Sequence, residues 1–322
     1  KIDQTSNGGH KMKMTVVKSD RKVGASAMFR KDNTTYIIIA TFLLITAIFI
    51  YRLFPGTEVS QYESVSGKRP IIYTYFSWDA SRQDIEHYTK EQEEMIDFWK
   101  TRWSNAGWEP RILSEEDAKR YPKFNQYDEQ ISKLDLLPSK RLCFYRWMAM
   151  SAATDGGWMS EHDIYPLHVE SSTPKNMFVL PNNGRLTIYE NNLNHGAFPS
   201  LVSGSSAEWN RVTAALLEYV PQHEGEMFHD VRALGQLNIE RPKSFELVDG
   251  VTNAVVLKTG LGQTRKIDCR WYSGKIALHF SYKTMVDAIK YKTIRRKQEA
   301  QSRAFYAKRF LNDFRHQCEG TR

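Results

Sequence analysis

Two acidic residues separated by a single residue form a candidate cation site. Glu161 and Asp163 follow two consecutive glycines, Gly156 and Gly157, and precede Pro166. In an extended segment, residues i and i+2 point to the same face, so both carboxylates would face one ligand. Hard cations such as Mg²⁺ and Mn²⁺ prefer oxygen ligands and leave positions open for phosphate oxygens. The spacing therefore predicts a site for a cation that also holds phosphate groups.

A plainer interpretation of the same residues stays open at this point. Glycines such as Gly156 and Gly157 suit a sharp turn or the close approach of a second backbone. Two acids after such a turn can also be solvated side chains on a loop. The order of the surrounding segments therefore matters for choosing between the two interpretations.

The segments before the motif predict an open α/β sheet. Residues 70–76 have the apolar composition of a strand, and a polar segment of helical period then extends to Asn105. Residues 108–113 are predicted to form a second strand, and Ser114 begins a short helix with Asp117 near its start. This order is typical of a βαβ unit with parallel strands. Open sheets of this kind bind ligands at the carboxyl ends of their strands.

The segment Gly156-Gly157-Trp158-Met159-Ser160-Glu161-His162-Asp163 resembles the Gly-Gly-x-Tyr-x-Asp-x-Asp segment of DXD-containing sugar transferases. That family has the GT-A fold, a Rossmann-like mixed sheet flanked by helices, and uses nucleotide-sugar donors. The resemblance places Glu161 on the first Asp and Asp163 on the second. It implies that these acids bind a divalent metal, Mn²⁺ or Mg²⁺, which holds the donor diphosphate. The chain differs from the family in having Glu at the first acid and Met159 in place of Tyr.

The resemblance also implies further donor contacts. In similar transferases, the loop that corresponds to residues 77–81 meets the nucleotide, so Trp78 is a candidate to stack on the base. Arg146, on a helix predicted over residues 138–149, matches an upstream Arg of the family and is a candidate ligand of the diphosphate. Gly156 and Gly157 complete the predicted donor site. A buried loop aromatic and an ordinary ion pair are the alternatives for Trp78 and Arg146.

Three later segments match further parts of the family. His279, in the apolar segment 276–281, matches a histidine that completes the metal site, with a core histidine as the alternative. Asp230 resembles the late catalytic acid that begins a helix, and an ordinary helix N-cap is the alternative. Residues 199–205 are predicted to be a loop of small residues that lies near the sugar and the acceptor.

The resemblance therefore implies a glycosyltransferase, and a hexosyltransferase is the expected type. It would transfer a sugar from a nucleotide-sugar donor to a glycan or glycoconjugate acceptor. The alternatives are a glycoside hydrolase with two carboxylates and a non-catalytic, membrane-tethered carbohydrate-binding or scaffold protein on a degenerate transferase fold. Convergence of Glu161, Asp163 and His279 around a cation-sized space would favour the transferase.

Residues 33–54 are predicted to form a transmembrane signal-anchor helix. The 19 residues from Asn33 to Tyr51 carry no charge, and at 1.5 Å per residue they nearly span a hydrocarbon core of ~30 Å. Residues 1–32 form a basic tail, which the positive-inside rule places in the cytosol. Residues 55–68 are expected to be a stem. These features predict a single-pass type II protein of the Golgi membrane with a lumenal large domain.

The amino-acid composition limits the remaining classes of protein and kinds of partner. The chain has 322 residues, of which 41% are hydrophobic and 12% aromatic, and this suffices for a packed core. Much of the net charge of +8 lies in the first 31 and last 40 residues, so we expect no nucleic-acid partner. The predicted organisation is a GT-A-like catalytic domain over residues 69–282 and a basic C-terminal helix over residues 283–322.

Cysteines and short motifs exclude several other classes of protein. The three cysteines, Cys143, Cys269 and Cys318, allow one disulfide at most, and the sequence does not say which pair forms it. The sequence contains no Gly-x-Ser-x-Gly elbow, P-loop, GxGxxG or CxxC pair. Hydrolase, nucleotide triphosphatase, dehydrogenase and zinc-site interpretations therefore lack support from motifs.

Overall fold

A computed structural model describes residues 69–78, 86–153, 155–167, 179–192, 196–222, 229–253, 267–284, 286 and 303–319. All of them belong to Gly67–Arg322, one of two units into which the chain divides. The predicted tail, transmembrane helix and stem lie outside the described residues. None of the helices that are described is both long and apolar enough to cross a bilayer.

Nine strands and seven α-helices are seen in the described part of the chain. The strands are β1 (Ile71–Tyr75), β2 (Glu109–Leu113), β3 (Gly157–Ser160), β4 (Ile164–Pro166), β5 (Thr187–Asn192), β6 (Gly196–Gly204), β7 (Glu246–Leu247), β8 (Val251–Asn253) and β9 (Ala277–His279). The helices are α1 (Glu86–Asn105), α2 (Glu115–Ala118), α3 (Phe124–Lys133), α4 (Pro138–Ala152), α5 (Ser206–Leu217), α6 (Asp230–Glu240) and α7 (Arg303–Phe314).

The main sheet is mixed and has the strand order β2-β1-β3-β6-β5-β7. Strand β1 pairs in parallel with both β2 and β3, whereas β6 runs antiparallel to β3 and β5. The parallel pair β1–β2, connected through α1, is the βαβ unit that the sequence predicts. Ser114 caps α2 through the expected capping box with Asp117. The prediction of a mixed sheet flanked by helices is therefore confirmed.

Both faces of the main sheet are buried, and successive residues of a strand enter different cores. Met159 and Val202 pack in a core with helices α2 to α6, while their neighbours Trp158 and Leu201 pack in a second core with α1 and α7. This alternation follows from the period of two along a strand. Because the centre of the sheet is covered on both sides, the inner strands β1, β3 and β6 are buried at consecutive positions rather than at every second one.

A smaller sheet with the order β4-β9-β8 belongs to the second core. Helix α7 lies within the predicted C-terminal segment 283–322 and packs against α1. The disulfide pair, left open by the sequence, is Cys269–Cys318. It closes a loop of 49 residues, for which the chain-entropy estimate is a stabilisation of about 4 kcal/mol. The disulfide therefore fixes the end of the C-terminal helical segment to the residues before β9.

The prediction of a loop over residues 199–205 is wrong, since Gly196–Gly204 forms strand β6. Most of this segment is buried between β3 and β5, where small and apolar side chains are accommodated. Pro199 lacks an N–H group, but it lies where the register between β5 and β6 shifts. A shift of this kind is a place where a strand tolerates proline. The misleading feature was therefore a proline at a bulge.

Gly156 occupies a position where two segments of backbone come very close. Its φ is +64°, and a Cβ added there would lie 2.4 Å from the backbone N of Ser206 and 2.8 Å from the carbonyl O of Gly204. Neither contact can be relieved by rotating a side chain. Gly156 is therefore required for packing β3 against the start of α5.

We predict that Gly156→Ala lowers the free energy of unfolding by about 2 kcal/mol or more, because backbone strain and steric overlap combine. Urea denaturation of the purified protein measures this change. Gly235→Ala is the control, because Gly235 lies within α6 and an added Cβ would meet no atom within 4 Å. That control should keep or slightly raise stability. A Gly156→Ala protein as stable as the parent would contradict the prediction.

Candidate metal and donor site

The parallel pairing of β1 and β3 brings the carboxyl ends of two strands together. Ile72 lies opposite Trp158 in this pairing, so the segments after the two strands are neighbours. Glu161 is the first residue after β3, and its backbone N–H donates to the carbonyl O of Ser200 at 2.8 Å. The first acid of the motif therefore lies at an end of the sheet where open α/β folds bind ligands.

The small sheet brings His279 to the second acid. His279 is the last residue of β9 and lies opposite Ile164 of β4, which directly follows Asp163. The backbone N–H of Phe280 donates to the carbonyl O of Asp163 at 2.9 Å. Antiparallel pairing of two short strands thus places residues far apart in the sequence side by side.

Glu161, Asp163 and His279 converge. Each offers one ligand atom, and these three atoms all lie within 4.8 Å of one another. Nε2 of His279 is 3.5 Å from Oε2 of Glu161 and 3.5 Å from Oδ1 of Asp163. Oδ1 of Asp163 is buried, and the described residues supply no hydrogen bond to it. Two carboxylates and an imidazole with an unsatisfied oxygen between them fit a divalent cation such as Mn²⁺.

Glu190 orients His279. Nδ1 of His279 lies 2.7 Å from Oε2 of Glu190, which is buried and also accepts a hydrogen bond from Ser200. A carboxylate behind a histidine fixes the ring and its tautomer in many metal sites. Burial alone would lower the pKa of His279, but the charges of Glu190 and Asp163 raise that pKa well above its ordinary value. The neighbouring carboxylates therefore favour the protonated form of His279.

Arg303, from α7, binds the other oxygen of Asp163. Its Nη1 donates to Oδ2 of Asp163 at 3.0 Å, and its Nε donates to Oε1 of Glu91 at 3.1 Å. Burial raises the pKa of Asp163, but His279 and Arg303 outweigh it and hold that pKa below its ordinary value. Sequence reasoning missed Arg303, Glu91 and Glu190, because each is one charged residue in an otherwise ordinary helix or strand.

Arg146 lies at the centre of a second charge network. Its Nε donates to Oδ2 of Asp230 at 2.9 Å, its Nη2 binds the same oxygen, and its Nη1 binds Oε1 of Glu161. Trp147 Nε1 also donates to Oδ2 of Asp230, at 2.9 Å. Burial and the charge of Asp163 raise the pKa of Glu161, although Arg146 opposes them. Arg146 therefore connects the candidate metal site to the start of α6.

Asp230 is fully buried, and its catalytic role stays a prediction. Burial alone would raise the pKa of Asp230. The charge of Arg146 and the hydrogen bonds from His229, Trp147 and Arg146 outweigh burial and lower that pKa to about 2. The N-cap of α6 is His229, whose Nδ1 accepts from the backbone N–H of Val231, so Asp230 is not the cap. In this geometry Asp230 acts on the site by holding Arg146.

The acids open into a pocket of about 390 Å³, which is also lined by Phe76, Tyr88, Arg146 and Tyr282. Trp78 is one ring away, in edge contact with Phe76 at a centroid distance of 5.0 Å, and is 38% exposed. A nucleotide base would therefore have to lie at the outer side of this pocket to stack on Trp78, and the stacking stays a prediction.

Gly156 and Gly157 lie at the other end of β3 from the acids. The carbonyl O of Gly157 accepts a hydrogen bond from Trp209 Nε1 at 3.2 Å. The close approach of the backbone of residues 204–206 accounts for Gly156 without a ligand. The predicted contact of both glycines with a donor is not tested by this geometry and stays a prediction.

A family model described as "Domain of unknown function (DUF8765)" matches residues 64–233. No curated protein matches the sequence. Among solved structures, the chain is similar to a glycosyltransferase involved in the glycosylation of the major capsid of PBCV-1, with 9% identity, 69% of this chain and 100% of that chain covered, and a TM-score of 0.40. It is also similar to the apo-form glycosyltransferase GlyE of Streptococcus pneumoniae TIGR4, with 9% identity, 76% of this chain and 64% of that chain covered, and a TM-score of 0.39. At this identity and score, the likeness is no evidence for a shared activity.

We predict that Asp230→Ala lowers the free energy of unfolding by about 3–5 kcal/mol, because the buried charge of Arg146 would lose one of its two carboxylates. Urea denaturation measures this change. Glu129→Ala is the control, because Glu129 forms an ion pair with Lys133 on an exposed surface and should leave stability unchanged. An Asp230→Ala protein with the parent's stability but no turnover would instead support a direct catalytic role.

Proposed function

The chain belongs to the DUF8765 family of domains of unknown function, and we propose that it is a divalent-metal-dependent glycosyltransferase. It would transfer a sugar from a nucleotide-sugar donor to a glycan or glycoconjugate acceptor, with a hexose as the expected sugar. The observation that carries this proposal is the convergence of Glu161, Asp163 and His279, of which the two acids also line one pocket. If the two acids were only solvated side chains on a loop, nothing would require a buried histidine from another sheet to lie beside them.

In this proposal, oxygens of Glu161 and Asp163 and Nε2 of His279 hold Mn²⁺ or Mg²⁺. When bound, the cation neutralises the diphosphate of the donor and the charge on the departing nucleotide. The protein's contribution is to orient these ligands. Glu190 holds the ring of His279, and Arg303 holds Oδ2 of Asp163, so Oδ1 is left to face the cation.

Arg146 has a second task in the proposal. It uses three of its N–H groups on Asp230 and Glu161, which leaves two of five for a phosphate oxygen. Because the guanidinium is held from both sides, it loses little freedom when it binds a phosphate. The aromatic rings of Phe76 and Tyr88 offer an apolar wall for the nucleotide, with Trp78 behind Phe76.

The proposal includes a membrane anchor over residues 33–54 and a lumenal catalytic domain in the Golgi. The support comes from the uncharged segment and its basic N-terminal flank. The Cys269–Cys318 disulfide agrees with this placement, because disulfides persist mainly in oxidising compartments such as the secretory pathway.

We predict that Asp163→Ala lowers the rate of Mn²⁺-dependent hydrolysis of the preferred nucleotide sugar about 100-fold or more, because the cation loses a buried ligand. A screen of nucleotide sugars with the purified parent protein first identifies the donor. Glu161→Asp should keep part of the rate, since it retains a carboxylate. His279→Ala should raise the Mn²⁺ concentration for half activity about 10-fold or more.

Glu129→Ala is the matched control for these variants, because it removes an exposed carboxylate that does not line the pocket and should behave like the parent. Electron paramagnetic resonance of Mn²⁺ reports metal binding independently of turnover. Full metal-dependent turnover by Asp163→Ala would refute the metal assignment. A parent that binds a nucleotide sugar but never transfers it, to water or to any acceptor, would favour the non-catalytic carbohydrate-binding protein.

We predict that protease treatment of sealed Golgi vesicles trims the basic tail but leaves the domain after residue 68 intact, because the positive-inside rule orients the anchor. Immunoblotting with antibodies against each part measures the result. Detergent-opened vesicles are the control, in which the domain should be cleaved. Digestion of the large domain in intact vesicles would contradict the predicted topology.

A further inference from the structure

A second concave surface, which we call the Trp271 cleft, lies on the small sheet away from the acids. It has a volume of about 670 Å³, and its walls include Asp249, Asp268, Arg270, Trp271 and Lys275. Asp249 precedes β8 and Lys275 precedes β9, and these strands run in parallel. The cleft is therefore at the amino ends of the strands, whereas His279 is at the carboxyl end of β9. Three strand residues separate the two ends by about 10 Å.

Trp271 presents its indole to solvent from a rigid support. The side chain is 74% exposed, although tryptophan is a residue that folding usually covers. It lies in the 3₁₀ helix Cys269–Tyr272, whose first residue, two positions before Trp271, is fixed by the disulfide. The residue after Trp271, Tyr272, is buried against Phe310 and Phe314, with ring centroids 5.7 and 5.4 Å away. Because these two residues are anchored, the backbone between them holds Trp271 at the surface rather than in the core.

The polar groups around the indole form two ion pairs. Arg270 donates two hydrogen bonds to Asp268, at 2.9 and 2.8 Å. Lys275 forms an ion pair with Asp249 and donates to its carbonyl O at 3.2 Å. Two acids and two bases leave these walls without net charge. Such walls suit a neutral ligand rich in hydroxyl groups.

We propose that the Trp271 cleft binds a neutral pyranose unit of a glycan. One face of a pyranose ring carries mainly C–H groups, which pack on a flat indole, while its edge carries hydroxyl groups. Those hydroxyl groups can donate to Asp268 and Asp249 and accept from Arg270 and Lys275. The binding itself does not depend on the proposed transferase activity. The further step, that the bound glycan is a distal part of the acceptor, rests on it.

A protein partner is the other class of ligand that exposed Trp and Arg can recognise. A protein interface of standard size needs about 800 Å² on each side with an apolar centre. Among the described residues that line the cleft, Trp271 is the one aromatic side chain, and its neighbours are ion pairs and small polar residues. The composition therefore favours a single sugar ring over a broad protein surface.

The test uses immobilised neutral oligosaccharides of glucose, galactose, mannose and N-acetylglucosamine, with the purified full chain in EDTA and without nucleotide sugar. We expect the parent to bind at least one of them and Trp271→Ala to lose about tenfold or more in affinity. Trp271→Phe should keep part of the affinity, because it retains a flat ring. Ile239→Ala, which truncates another exposed apolar residue, should bind like the parent.

Asp163→Ala separates this proposal from the transferase assignment, because it should abolish turnover and leave glycan binding unchanged. Glycan binding that survives Trp271→Ala would overturn the proposal, whether or not Asp163→Ala also binds. A parent that binds none of the four sugar series would overturn it as well. Trp271-dependent binding in a protein without any transfer activity would refute the proposed function alone. Thermal unfolding checks that the exposed substitution at Trp271 leaves the fold intact.

Discussion

The compensation of buried negative charge is the interaction on which this site depends. A carboxylate removed from water costs several kcal/mol unless a cation or strong hydrogen bonds replace the solvent. Asp163 is paired with Arg303 of α7, and Glu161 is paired with Arg146 of α4, which also binds the buried Asp230. The two helices α7 and α4 belong to opposite sides of the main sheet. Each pair therefore ties the acid segment after β3 to a different layer of the fold.

Tryptophan side chains of α1 bind the residues on both sides of the acids. Trp99 Nε1 donates to Oγ of Ser160 at 2.7 Å, just before Glu161. Trp103 Nε1 donates to the carbonyl O of Ile164 at 3.1 Å, just after Asp163. Both indoles are buried in the second core, so their positions are set by packing. The packing of the second core therefore also sets the positions of the two carboxylates.

How much the sequence could predict depends on how far apart the interacting residues lie along the chain. The spacing of Glu161 and Asp163 and the order of β1, α1 and β2 are local patterns, and they were predicted. The partners Glu190 and Arg303 come from distant segments, and nothing in their own neighbourhoods distinguishes them from solvated charges. His279 was found only through the resemblance to a family. Pairing between β4 and β9 of the small sheet, which no local pattern encodes, decides the placement of His279.

The charges that meet around the acids do not balance, and the imbalance has the size that a divalent cation removes. Five carboxylates are in contact with two guanidinium groups and one imidazole: Glu91, Glu161, Asp163, Glu190 and Asp230 with Arg146, Arg303 and His279. Among the described residues of this network, with His279 counted as protonated, the acids outnumber the bases by two. Burial raises the pKa of Glu161, and the nearby Asp163 adds to this rise, although Arg146 opposes it. A purely structural ion-pair network gains nothing from such an excess, whereas a cation-binding site requires it.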